Sequence, residues 1–195
     1  MLKKEIENYK KLNKLAENSG IVIFGEAEDR LIPIGELKQA FSLDFPIYNR
    51  SFESPSLSRA AEIYVECIAQ LNPETIFLHI GLSDIELFTK NPRDFDTQYR
   101  RLLDCIKKHD KTCHIIIVSL KNPDNLDLIC EINRHLKYIA SSEQCEFSDL
   151  SANRVWNPIE TKSVLSFLYS TGFVRPLDIK RPTYDLTGIL FCCPT

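Results

Sequence analysis

The sequence lacks long apolar runs, extended blocks of like charge and the pattern of a secretory leader. Its 195 residues carry 24 Lys and Arg against 27 Asp and Glu, a net charge of −3. Such a balance argues against nucleic acid or an anionic membrane as a partner. Charged residues continue through Lys14, and no run approaches the ~18 apolar residues that cross a bilayer. We therefore expect a cytoplasmic protein with no nucleic-acid or membrane partner.

Cysteine is frequent but not arranged for disulfides or metal. The seven cysteines are an odd number, are scattered along the chain and lie mostly in apolar runs, where free cysteine behaves as a small hydrophobic residue. This usage favours a reducing compartment. The pair Cys113-His114 lacks the Cys-x-x-Cys or His-x₃-His spacing of zinc sites. We predict neither a bound metal nor a cofactor.

The apolar pattern predicts one α/β domain over residues 1–195. The composition is 44% hydrophobic and 26% charged, as in a globular domain with a single core. Predicted strands alternate with predicted helices, which indicates a parallel sheet with helices on both faces, the three-layer flavodoxin-like architecture. The strands are predicted at 21–24, 45–48, 75–80, 114–118 and 145–149, and the helices at 2–17, 34–41, 59–71, about 95–106 and 126–140. Beyond residue 157 a helix at 158–169 precedes an irregular C-terminal segment, from about residue 170, and a last strand near 188–193.

Three polar blocks follow the first three predicted strands, at the sheet edge where open parallel sheets bind ligands. They are Gly25-Glu26-Ala27, residues 49–54 (Asn-Arg-Ser-Phe-Glu-Ser) and residues 81–84 (Gly-Leu-Ser-Asp). In this order they resemble the SGNH (GDSL-type) hydrolases, whose corresponding blocks read Gly-Asp-Ser, Asn-Arg-Gly-Ile-Ser-Gly and Gly-Thr-Asn-Asp. The resemblance implies a five-stranded sheet of order 2-1-3-4-5.

The same comparison implies that the catalytic residues are missing. Ala27 stands where the family has its serine nucleophile, and alanine cannot attack an ester. Ser54 and Ser83 stand where a glycine N–H and an asparagine side chain would bind the oxyanion. Losing one such donor typically costs ~10²–10³ in turnover.

The family's last block, Asp-x-x-His, is also altered. The stretch 168–176 resembles it with one residue inserted, so that Thr171 replaces the aspartate and Val174 or Arg175 replaces the histidine. The four histidines lie at positions 79, 109, 114 and 135, so no histidine follows His135 to serve as this base. We interpret the chain as a pseudoenzyme.

The function predicted from these blocks is a ligand-binding or interaction module, for a carbohydrate, an acyl group or a protein partner. Arg50 could bind an anionic ligand or pair with Glu53, and His79 is expected to be a core histidine. The candidate ligand-binding residues are Gly25, Glu26, Asn49, Arg50, Gly81, Ser83 and Asp84.

Two alternatives remain open at this point. The chain could be an active esterase or acylhydrolase of altered mechanism, using Ser54, Ser83 or Glu26. It could instead be a flavodoxin-like module whose acidic residues bind a divalent cation such as Mg²⁺. The acidic residues concerned are Glu26, Glu28, Asp29, Asp84 and Glu86.

Overall fold

A computed structural model describes residues 2–40 and 45–149 of the chain. Within them, five strands form one parallel sheet of order β2-β1-β3-β4-β5, so the predicted topology is confirmed. The strands are β1 (Ile21–Gly25), β2 (Ile47–Asn49), β3 (Thr75–His79), β4 (His114–Val118) and β5 (Glu146–Ser148).

The strand register aligns the carboxyl ends of the central strands. Ile21 of β1 lies opposite Thr75 of β3 and opposite Ile47 of β2, and Gly25 lies opposite His79. The loops that leave β1, β2 and β3 therefore start side by side at one edge of the sheet. This alignment brings together blocks that are more than 50 residues apart in sequence.

The central strands are buried on both faces, as their unbroken apolar runs predict. Ile76, Phe77 and Leu78 of β3 are all fully buried. Ile76 and Leu78 belong to the larger core cluster, which includes residues of several helices, whereas Phe77 belongs to a smaller cluster on the other face. Successive residues of one strand thus enter opposite layers.

Six α-helices are present in the described residues. The larger cluster includes buried residues of α1, α3, α5 and α6, and the smaller one includes Leu37 of α2. Helix α5 begins where Asn91 caps the N–H of Asp94, with Pro92 in the first turn. The helices are α1 (Leu2–Asn13), α2 (Ile34–Ala40), α3 (Leu57–Ile63), α4 (Ile85–Lys90), α5 (Pro92–His109) and α6 (Leu126–Ser142).

Three helix predictions differ from the structure. Helix α1 ends at Asn13 rather than at residue 17, and the next three N–H groups bond carbonyls three residues back, as in turns. The Asn13 side chain bonds Cys67 O and the Arg50 guanidinium. The predicted helix 59–71 consists of α3, a π-helical segment at Tyr64–Ile68 and a short 3₁₀ turn. Helix α4 was not predicted, since its six residues are too few for a clear periodic pattern.

The predictions for residues 150–195, and with them part of the single-domain prediction for 1–195, lie outside the described residues. In the described part of the chain, no helix is both long enough and apolar enough to span a bilayer.

Candidate functional site

The candidate site is built from the loops that follow β1, β2 and β3. Its centre is the carboxylate of Glu26, which is 7% exposed. Oε1 accepts hydrogen bonds from the backbone N–H of Gly81 at 2.6 Å and of Leu82 at 2.7 Å. Oε2 accepts from Ser83 N at 3.0 Å and from Ser83 Oγ at 2.6 Å. The β1 loop is thereby bound to the β3 loop.

The turn at Gly81 makes this arrangement possible. Gly81 has φ 128°, in the region that favours glycine, and the chain then turns three successive N–H groups toward one point. Such a concave set of N–H groups binds anions. Here the anion is a side chain of the same protein. Burial raises the pKa of the Glu26 carboxyl, while the hydrogen bonds from Ser83, Gly81 and Leu82 oppose that rise.

Ser54 and Ser83, which take the place of the family's oxyanion donors, lie together. Ser54 Oγ donates a hydrogen bond to Ser83 Oγ at 3.1 Å, and Ser83 Oγ in turn donates to Glu26. Both serine residues are exposed. We call this chain of hydroxyls, from Ser54 through Ser83 to Glu26, the serine relay. It joins one residue from each of the three loops.

Ala27 directly follows Glu26 and precedes the 3₁₀ turn Glu28–Leu31. Its methyl group offers neither a nucleophile nor a hydrogen-bonding atom, and its residue is partly exposed. The structure thus brings Ala27, Ser54 and Ser83 to one edge of the sheet. The other three altered positions, Thr171, Val174 and Arg175, lie outside the described residues.

A histidine–aspartate pair lies beside this site and was not predicted from the sequence. His79 Nδ1 is 2.9 Å from the Asp29 carboxylate, which also accepts the N–H of Glu26 at 2.9 Å. His79 was expected to be an ordinary core histidine. Its Nε2 atom is instead buried with no hydrogen-bond partner among the described residues. Burial disfavours the imidazolium, but the charge and hydrogen bond of Asp29, together with the charges of Glu26 and Glu28, outweigh it and raise the pKa of His79.

No local sequence signal marks this pair, because its members are 50 positions apart. The tight approach of Asp29 to the end of β1 depends on Gly25, since a Cβ atom there would collide with the Asp29 carboxylate. Asn49, the last residue of β2, donates a side-chain hydrogen bond to Asp29 O at 2.6 Å, so the end of β2 is joined to the same turn. Gly25 and Asn49, both candidate ligand-binding residues, therefore hold the loops in place.

Arg50 lies elsewhere. The residue is 5% exposed, and its guanidinium stacks between the rings of Tyr9 and Tyr48, at 5.1 and 5.3 Å from their centroids. Two of its nitrogens donate to Asn13 Oδ1. The alternative prediction of an Arg50–Glu53 pair is wrong, because Glu53 pairs with Arg30. Arg50 fastens α1 to the β2 loop.

Asp84 accepts a hydrogen bond from Leu57 N, in the first turn of α3, at 2.9 Å. Burial raises the pKa of its carboxyl to about 6, and the nearby Glu26 charge adds to the rise. Three other acidic residues of the cation alternative are also engaged by protein groups: Glu26 by N–H groups, Asp29 by His79 and Glu86 by Lys90. Residues 2–40 and 45–149 contain no cluster of three or more potential ligands for a metal ion. These contacts do not support the divalent-cation alternative.

A cavity of about 730 Å³ lies apart from this edge, between α5 and the α3–π-helical segment. None of the site residues described above lines it. Its lining includes side chains of both charge signs together with Ala61, Val65 and Cys105.

Comparison with known proteins shows similarity of this chain to solved structures in fold, but no match in sequence. No family model and no curated protein matches the sequence, whereas 36 chains of solved structure match its fold. A GDSL-like lipase from Bacteroides thetaiotaomicron VPI-5482 superimposes with a TM-score of 0.65 at 12% identity, over 86% of this chain and 96% of that one. A protein from Streptococcus pneumonia, described as a candidate platelet activating factor, gives 0.64 at 17% identity, over 86% and 92%.

An acetyl-xylooligosaccharide esterase from Geobacillus Stearmophilus gives a TM-score of 0.60 at 14% identity, over 80% of this chain and 94% of that one. The chain covers nearly the whole length of each of these proteins. At such low identity the comparison establishes architecture and not activity. The chain has the α/β, flavodoxin-like fold of the GDSL-like (SGNH) lipases and acylhydrolases.

Proposed function

We propose that the protein is a non-hydrolytic ligand-binding module on the SGNH hydrolase fold. The observation that carries the proposal is Ala27, a methyl side chain at the position of the nucleophile. The surrounding loops support it, because the N–H groups of Gly81, Leu82 and Ser83 are bound to Glu26 rather than free. An ester carbonyl at this edge would find neither a nucleophile at residue 27 nor these three donors.

One observation favours a second candidate, an esterase that uses a different serine. Ser83 Oγ lies 2.6 Å from the Glu26 carboxylate, the distance needed for a carboxylate to accept a proton from a nucleophile. However, Glu26 already accepts from three backbone N–H groups, and these hydrogen bonds oppose the rise in pKa that burial causes. The same N–H groups are not free to bind the oxyanion that ester hydrolysis forms. We therefore rank this mechanism second.

A labelling experiment separates the two candidates. The purified protein should not react with a fluorophosphonate probe and should not hydrolyse p-nitrophenyl acetate above the buffer rate. Ser83→Ala should leave both results unchanged. The matched control is Ser141→Ala, on the exposed face of α6. Stoichiometric labelling that Ser83→Ala abolishes, and Ser141→Ala does not, would establish the esterase instead.

The ligand we propose is a small molecule held at the edge formed by Ser54 and Ser83, whose hydroxyls are the exposed polar groups of the serine relay. We further propose a cytoplasmic location. Supporting it, five cysteines of the described residues are free thiols: Cys67, Cys105, Cys113, Cys130 and Cys145. Unpaired cysteines are typical of reducing compartments. Fractionation of the cells that produce the protein tests the location.

A further inference from the structure

The direction of the hydrogen bonds in the serine relay determines which ligands the site can take. An ionised carboxylate only accepts, and all the contacts to Glu26 come from N–H or O–H donors. Ser83 has one hydroxyl proton, which it gives to Glu26. Ser54 also has one, which it gives to Ser83. Neither hydroxyl has a proton left for a ligand.

From this polarity we propose that the site binds the free hydroxyl groups of an unacylated saccharide and rejects its acetyl ester. The inference rests on the proposed function and specifies its ligand. Ser54 Oγ presents lone pairs, and Ser83 Oγ has one lone pair remaining, so both atoms accept from a ligand that donates. A saccharide hydroxyl donates; an acetyl carbonyl does not.

This edge differs from that of an ester hydrolase in whether it offers hydrogen-bond donors or acceptors. Hydrolases aim donors at the oxygen that becomes negative in the transition state. In this chain the equivalent edge offers acceptors, because its three backbone donors and the Ser83 hydroxyl proton are directed at Glu26, and the Ser54 hydroxyl proton is directed at Ser83. An acetyl oxygen could be bound there only if one of these hydroxyl protons left its present acceptor, and the loss of that hydrogen bond selects against the ester.

Charge argues for a neutral ligand over an anion. An anionic ligand would be repelled by the Glu26 carboxylate, which lies 2.6 Å from Ser83 Oγ. The neighbouring Arg30 is already paired with Glu53. Their oxygens are 3.1 Å apart, a separation similar to that of neighbouring hydroxyl oxygens on a sugar ring. A vicinal diol can therefore donate to both.

Two probes that differ only in acetylation test the inference. Methyl β-xyloside and its fully acetylated form are titrated into the protein, and the backbone amide NMR signals of residues 54 and 83 are followed. We expect the free glycoside to shift both signals and to bind at least about tenfold more tightly than the acetylated form. Ser54→Ala should weaken the glycoside about fivefold, the effect of one hydrogen bond. Ser141→Ala should not change the affinity.

A second variant tests the direction of the hydrogen bonds in the serine relay, rather than only whether the ligand contacts it. In Glu26→Gln the amide can donate to Ser83 Oγ, which frees the hydroxyl protons to point outward. The preference for the free glycoside over the acetylated form should then shrink or reverse. If Glu26→Gln fails to fold, the affinity of the free glycoside for Ser54→Ala, compared with that for the wild type, decides whether the proposal stands.

The outcomes that overturn the inference are separate from those that overturn the proposed function. Equal binding of the two probes, no shift from either, or an unchanged affinity in Ser54→Ala would each refute the ligand class. Release of acetate from the acetylated probe, followed in the same NMR samples, would instead refute the non-hydrolytic function.

Discussion

The Asp29 carboxylate lies 2.9 Å from His79 Nδ1 and thereby ties the turn after β1 to the end of β3. Because Asp29 raises the pKa of His79, Asp29→Asn should lower it, as measured by NMR titration of the imidazole protons. The pair adds stability that is fully present below the ordinary pKa of 6.5 and is lost as pH rises through the raised value. The matched control is Asp96→Asn, at the separate contact with His135, and it should leave the pKa of His79 unchanged. An unchanged His79 pKa in Asp29→Asn would contradict the assigned pair.

Glu26→Ala should destabilise the protein by about 2–4 kcal/mol, because it leaves the buried N–H group of Gly81 and the partly buried N–H groups of Leu82 and Ser83 without this acceptor. Added acetate should restore part of this loss by entering the vacated anion site, with a gain that grows with its concentration. Chemical denaturation at constant ionic strength measures both effects. Glu86→Ala, which removes an exposed partner of Lys90, should be nearly neutral and insensitive to acetate. If acetate stabilises both variants equally, the site is not specific.

Asp84→Asn should change the dependence of stability on pH. The folded carboxyl has a pKa of about 6 against an ordinary 3.8, so its contribution is present below 3.8 and lost as pH rises through about 6. The variant cannot ionise, so its stability relative to the wild type should improve over this interval. The gain should be at most about 3 kcal/mol. Denaturation curves across the interval measure it, and a difference independent of pH would rule out the raised pKa.

Two glycine substitutions form a matched pair. Gly25→Ala should destabilise the fold by about 1–3 kcal/mol, because the new methyl group overlaps the Asp29 carboxylate. Gly35→Ala, in α2, meets no atom within 4 Å and should stabilise it by about 0.5–1 kcal/mol through helix propensity. Thermal unfolding of both variants is the measurement. A neutral Gly25→Ala would mean that the turn tolerates a wider approach.

Ala27→Ser should produce at most trace esterase activity. A serine hydroxyl without a general base stays protonated and is weakly nucleophilic near neutral pH, and the remaining ring nitrogen of the nearby His79, Nε2, is buried and bonded to none of the described residues. Hydrolysis of p-nitrophenyl acetate and fluorophosphonate labelling measure the outcome. The control is Ala27→Gly. Robust turnover would show that a base does reach residue 27 and would overturn the non-hydrolytic function.

The central part of the fold could be predicted because the signals there are local. Unbroken apolar runs such as His114–Val118 identify a buried parallel strand without knowledge of its neighbours. The end of α1 could not be predicted in the same way. Leu15 and Ala16 continue the apolar pattern, but Asn13 is recruited by Arg50 from 37 positions away, and that contact is visible only in three dimensions.

The candidate site could also be predicted only in part, where the signals were local. The block order was enough to place Ser54 near Ser83, because each block follows its own strand. The sequence did not show which side chains bind each other. Glu53 was the nearby candidate partner for Arg50, yet Glu53 binds Arg30, which is 23 positions away. The Asp29–His79 pair had no local signal, since a histidine at the end of an apolar strand resembles a packed core residue.

The shortness of β2 has a consequence for solubility. This outer strand has three residues, whereas its neighbour β1 has five. An edge strand exposes a row of backbone groups to which another chain can add, and a short row offers fewer of them. Arg50, which directly follows β2, is covered by the rings of Tyr9 and Tyr48. The β2 side of the sheet is therefore poorly suited to the edge-to-edge association that begins many aggregates.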